Sequence, residues 1–136
     1  MGFVNAQITL KNTSDISLVR RGLIPEHEIR QLTVETLVDT GSMFLVINKE
    51  IFLKLGLYAV GKRTVTFADG NKGIAKMTDP VEIHWEDRSI AMPVLVVDNA
   101  TKILLGVLPL EGMDLTVDTV NQKLVGIHGD QLITYC

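Results

Sequence analysis

Leu37-Val38-Asp39-Thr40-Gly41-Ser42 is an apolar strand that stops abruptly at a carboxylate. Upstream, Leu32-Thr33-Val34-Glu35-Thr36-Leu37 alternates apolar with polar, as a strand does when its sheet has one wet face. Downstream, Met43 to Ile47 resumes a strand. Gly41 permits a close backbone approach or a positive φ, Thr40 and Ser42 bring hydroxyls, and Asp39 follows two apolar residues into partly buried ground. An ionised carboxylate in such a place is costly unless compensated, so the run is either a chemical site or plain Asp-Thr-Gly turn chemistry.

Working outward, Val, Ile, Leu and Thr recur in runs of about 5–9 residues separated by Gly, Asp, Asn or Pro, which predicts an all-β fold. Expected strands are Phe3 to Leu10, Ile29 to Val38, Phe44 to Ile47, Thr64 to Ala68, Gly73 to Met77, Val81 to Trp85, Ser89 to Val97, Ile103 to Leu105, Leu115 to Val117, Lys123 to Ile127 and Gln131 to Tyr135. Asp69-Gly70 and Glu86-Asp87-Arg88 read as hairpin turns. Two places read as helix: Lys49 to Leu55, capped by Asn48 and closed by Gly56, and a short turn at Leu108-Pro109-Leu110-Glu111 ended by Gly112. Thr36-Leu37-Val38-Asp39-Thr40 has an echo in Leu115-Thr116-Val117-Asp118-Thr119, but Val120 stands where the first has Gly41, so Asp118 is expected to be a strand-end or turn residue.

At 136 residues, 46% hydrophobic and 21% charged, the chain has the size and balance of one folded domain spanning residues 1–136. A net charge of −3 with scattered basic residues argues against nucleic acid as a partner. The single cysteine, Cys136, leaves no intrachain disulfide. Met1-Gly2-Phe3-Val4-Asn5-Ala6 lacks a signal-peptide layout and has Ala6 where a myristoylation signal wants Ser or Thr. No apolar run approaches the roughly 20 residues a membrane helix needs. A cytoplasmic protein without a membrane partner is the expectation.

The order of these motifs resembles the retropepsin-like aspartic proteases, and in its finer pattern the small prokaryotic members of that group. Leu37 to Ser42 is similar to the family's apolar-apolar-Asp-Thr-Gly-Ser/Ala signature. Ile103-Leu104-Leu105-Gly106 resembles its second apolar-apolar-Gly element, which leads into a short helix at Leu108 to Glu111. The Thr64 to Met77 hairpin stands in the place of the family's flap, with Asp69, Gly70, Asn71, Lys72 and Gly73 at its tip. The resemblance implies a closed acid-protease barrel with one or two short helices, no cofactor and a catalytic Asp39. It further implies that Thr40 braces the pair across a two-fold axis, that Gly41 donates its backbone N–H to the Asp39 carboxylate, that Ser42 supports the outer oxygen and that Gly106 packs beside the loop. The tip is more polar than the apolar, Gly-rich tip of viral enzymes, and it lacks the Tyr used by pepsins.

Chemistry of this type holds a water between two carboxyl groups, one ionised and one protonated. The sequence supplies one Asp-Thr-Gly, so the second carboxylate is expected from another copy of the chain, in an isologous homodimer. Gln131 to Tyr135 is the candidate interface strand. The expected activity is endopeptidase cleavage of an extended peptide or protein substrate; the alternative is a non-catalytic dimeric peptide-binding or assembly module on the same fold. His27, His84 and His128 lack ligand spacing, so no metal site is expected. Trp85 is expected to pack in the core or at its rim, and Met43, Met77, Met92 and Met113 to fill core gaps.

Overall fold

A computed structural model describes residues 3–136; the reading of Met1 and Gly2 as lacking a targeting signal falls outside them. In chain order the elements are β1 (Asn5–Asn12), α1 (Thr13–Arg20), a 3-10 turn (Glu26–Glu28), β2 (Gln31–Val38), β3 (Val46–Ile47), α2 (Lys49–Lys54), β4 (Ala59–Thr66) and β5 (Lys72–Thr78). There follow β6 (Val81–Trp85), β7 (Arg88–Met92), β8 (Leu95–Val96), β9 (Leu104–Leu105), α3 (Val107–Gly112), β10 (Leu115–Asp118) and β11 (Lys123–Gly126). Nine strands form one curled sheet in the order β4-β5-β8-β3-β9-β2-β1-β6-β7, and β10 and β11 form a separate hairpin.

The all-β expectation holds, with short helices, but the barrel is open where a closed one was expected. β4 and β7 end the strand order and do not pair with each other. Closure needs ladders whose stagger carries continuously around the ring, and the middle of this sheet is made of β3, β8 and β9, each only two residues long.

Alternation along the strands builds the core. In β1, Ala6, Ile8 and Leu10 point inward. They meet Leu45, Ile47, Val81, Ile83, Val94, Val96, Leu105 and Met113 in one apolar cluster, against which Trp85 packs partly buried. Met113 fills the core as expected and Met77 and Met92 are half-buried, but Met43 is 61% exposed. The expected strand Ser89 to Val97 is divided between β7 and β8. Pro93 has no N–H for the ladder, and beyond it the chain leaves β6 for β3 and β5, while Thr78 pins the corner by accepting from the Val94 amide with its hydroxyl (3.2 Å). β4 starts earlier than expected because both faces of this hairpin arm are largely exposed, leaving no alternation to read.

Helix α1 was not expected. Its signal is a capping pattern, Asn12-Thr13-Ser14-Asp15, in which the Asn12 side chain accepts the Asp15 amide at 3.0 Å. The far end closes with Gly22 at φ 73° and two reversed bonds, Gly22 N–H to Val19 O and Leu23 N–H to Leu18 O. The expected helix near Lys49 is present as α2, with Asn48 accepting the Ile51 amide and Gly56 at φ 62°. Fully buried Asn12 joins the two helices, because its amide nitrogen donates to Leu55 O at 2.7 Å while its oxygen caps α1.

The expected terminal strand Gln131 to Tyr135 is absent from the single chain. Gln131 makes one isolated bridge to His128, and no strand follows. A strand needs a neighbour to take its backbone groups, and here the segment is held by a side chain instead: buried Asp114 accepts the Ile133 amide at 3.2 Å and faces His128 Nδ1 at 2.8 Å. Buried Arg88 donates to the carbonyls of Met113, Asp114 and Gly129.

Asp15 receives Arg30 as a fork, Nε at 2.9 Å and Nη2 at 3.0 Å, and also accepts the Arg30 amide. The guanidinium bonds hold the Asp15 carboxyl below its ordinary value of 3.8. We predict that Asp15→Asn loses about 2 kcal/mol at neutral pH, near the low end for charge-assisted bonds because Arg30 is half exposed to solvent. A depressed carboxyl contributes stability that is complete above its unfolded value and lost as the pH falls through its folded value. The gap between wild type and variant in urea denaturation is therefore expected to stay constant above about pH 3.8 and to shrink as the pH falls progressively below it; a gap that stays unchanged down to strongly acidic pH contradicts the assignment.

Candidate active site

β2 delivers Asp39 to the middle of the sheet, between antiparallel β1 and parallel β9. Backbone bonds fix the turn from both sides: Val38 N–H to Val4 O at 2.8 Å and Asp39 N–H to Leu105 O at 2.9 Å. Ser42 N–H then closes the turn onto Asp39 O at 3.0 Å. Gly41 donates its N–H to Asp39 Oδ1 at 2.9 Å, which orients the carboxylate without using any other side chain. A Cβ at Gly41 would stand 3.2 Å from that same oxygen, so the glycine keeps the approach unhindered.

Gly106 lies directly beneath. A Cβ there would stand 2.5 Å from Ser42 O and 2.8 Å from Met43 C, and closer still to Phe44 O. Its own φ of −92° is open to any residue, so the requirement for glycine is the space between two backbones. Beyond it, the first free amides of α3 find acceptors in the loop: Val107 N–H to Ser42 O at 2.8 Å and Leu108 N–H to Met43 O at 2.9 Å. Gly106 and the loop after Asp39 thus meet backbone to backbone.

The carboxylate faces a cavity of about 580 Å³ lined by Gly41, Ser42, Met43, Val46, Leu95, Val97 and Leu104 below and by Val65, Thr66, Phe67 and Ala68 above. The upper wall is the end of β4 together with Phe67 and Ala68, which follow it toward the hairpin tip. Its lining residues differ from those expected. Asp69, Gly70, Asn71, Lys72 and Gly73 form the tip and do not line the cavity. Asp69 instead accepts the Asn71 amide at 2.9 Å, and Gly70 turns the chain at φ 84°. Gly73 leaves room for the Phe67 ring, which a Cβ would meet at 2.8 Å.

Ser42 does not reach the outer oxygen of Asp39; its hydroxyl donates to Phe44 O at 3.1 Å. Thr40 is exposed on the turn. Asp118 lies outside this cavity and caps its own turn, accepting the amides of Val120 and Asn121 at 3.1 Å each. The Asn121 side-chain amide, at 2.8 Å, holds its carboxyl below the usual carboxylate range. Its role as a turn residue agrees with the missing glycine. His84 faces Glu82 at 2.5 Å, His27 is exposed, and among the described residues no group of three acidic, His or Cys side chains is placed to hold a metal ion.

No family model matches the chain, and no curated protein matches it. Among solved structures it is similar to a retropepsin-like aspartic protease from Rickettsia conorii, with a TM-score of 0.45 and 17% sequence identity over 86% of this chain and 88% of that one. Among the described residues no helix is long and apolar enough to cross a membrane.

Gly106→Ala is predicted to cost about 3 kcal/mol, the upper range for forcing a methyl into a filled site, because the obstacle is backbone on both sides. Thermal or urea unfolding measures it, and a loss below about 0.5 kcal/mol would show that the loop moves freely over Gly106.

Proposed function

We propose that the chain is an aspartic endopeptidase that assembles as a homodimer, with one Asp39 from each copy sharing the work on a single water. The observation that carries this reading is the Asp39 carboxylate, fixed by the Gly41 amide and turned toward an apolar cavity roofed by a hairpin. One carboxylate of the pair takes the proton of the water as it attacks the peptide carbonyl, and the other, protonated, donates to the carbonyl oxygen. Two carboxyl groups held that close do not both ionise, which provides the two protonation states at once. The cavity walls suit an extended peptide with apolar side chains, held by strand-like backbone bonds.

Two copies are required because a single chain carries one such carboxylate. Asp118 has its oxygens engaged in its own turn and lacks the glycine that serves Asp39. Thr40, exposed beside Asp39, is the residue free to bond across a two-fold axis. The segment after Gln131 carries Leu132 and Tyr135 at 57% and 84% exposure, apolar surface that a second copy would cover. In this reading Ser42 acts through the loop backbone and not through the carboxylate.

Asp39→Asn is expected to lower peptide hydrolysis by about 1000-fold with fold and dimer retained. Retention of peptide binding by a wild-type protein that cleaves nothing across acidic to neutral pH would favour the binding-module alternative. Specific activity is further expected to fall with dilution in step with the dimer fraction read by sedimentation, and to fall when wild-type chains are mixed with excess Asp39→Asn chains. A monomeric preparation with full specific activity would refute the shared-dyad mechanism.

A further inference from the structure

We propose that Arg63 is a positioning residue that clasps the β4–β5 hairpin over Asp39 by seating its guanidinium on the ring of Phe44. The guanidinium carbon stands 5.1 Å from the ring centroid, inside the roughly 6 Å over which the negative face of an aromatic ring holds a cation. Side chains two apart along a strand point to the same side, so Arg63 shares one face of β4 with Val65, which lines the cavity. Its cross-strand partner Ala75 is fully buried, which identifies that face as the one turned toward the body of the protein.

Phe44 belongs to the loop that follows Asp39. Its carbonyl accepts the Ser42 hydroxyl and lies against Gly106, so the ring is mounted on backbone that is hydrogen-bonded and packed beneath the Asp39 turn. The two arms of the hairpin differ in what holds them. β5 pairs with β8 and carries Lys76, which stands 5.9 Å from the Phe52 ring centroid and 3.9 Å from Asp98. β4 is the edge of the sheet and pairs with β5 alone. Among the described residues Arg63 has no carboxylate within ion-pair distance, so the Phe44 ring is its counterpart. The clasp ties the roof of the cavity to the loop that carries the carboxylate, and the height of the roof above Asp39 follows from it.

The test uses Arg63→Gln, Phe44→Leu, the double variant and the conservative Arg63→Lys. Relaxation dispersion of the amides of residues 64–75, recorded without peptide, reads the population of open hairpin. An exposed cation–ring contact corresponds to a rise of about three-fold in that population for either single variant. The double variant is expected to rise no further, since both changes remove one contact, and Arg63→Lys is expected to stay near wild type. The kinetic consequence rests on the peptidase reading: KM for an extended peptide rises about three-fold, by more than kcat falls. Unchanged dispersion in both single variants, or additive increases in the double, overturns the clasp whatever the activity. Absence of hydrolysis in the wild-type protein overturns the peptidase reading and leaves the dispersion result to decide the clasp.

Discussion

Beneath the Asp39 turn two stretches of backbone meet with no side chain between them. The carbonyls of Ser42, Met43 and Phe44 lie over Gly106, and the amides of Val107 and Leu108 donate into the same loop. Each group solves a problem for the other. The start of a helix has amides without partners and a tight loop has carbonyls without partners, and bringing them into contact satisfies both. Everything attached to that contact inherits its position: β9 and β2 through the Asp39 amide to Leu105 O, β3 through the loop that precedes it, and the carboxylate through Gly41.

A second node of similar logic lies at the other end of the sheet. Asn12 caps one helix with its oxygen and the last carbonyl of another with its nitrogen, and Asp15 takes the Arg30 fork beside it. Asn12 and Asp15 are polar and deeply placed, which would be costly if either were left unmatched. Among the described residues no buried side-chain nitrogen or oxygen lacks a partner. The polar node therefore fixes how α1 and α2 sit on the core without leaving an unpaired group in it.

The hairpin over the cavity is built differently from the body. Its outer strand is nearly all exposed and has one hydrogen-bonded neighbour, the features of an element of low local stability. In the proposed peptidase such a roof admits an extended chain and then encloses it, and the proposed Arg63–Phe44 contact, 5.1 Å from guanidinium to ring centroid, gives it a resting place. The open sheet and the unpaired segment after Gln131 are features of the single chain, with backbone edges still available for pairing.

Local chemistry was legible in the sequence wherever neighbours in the chain decide the outcome. Asn48 and Gly56 bracket α2, and Asp69-Gly70 turns the hairpin, while the amide of Gly41 to the Asp39 carboxylate was implied by the family resemblance. The cap of α1 is equally present in Asn12 to Asp15, but a polar run of this kind carries little periodic signal for a helix of only eight residues. Other features depend on partners distant in the chain. Pro93 divides a strand only because β3 and β5 stand ready to receive Leu95 and Val96. Met43 reads as core and lines the cavity, since the loop over Gly106 turns it outward. Ser42 bonds Phe44 and not the carboxylate for the same reason. Whether the sheet closes, and which hairpin residues cover Asp39, is set by how strands separated by tens of residues pair, and side-chain periodicity carries no information on that pairing.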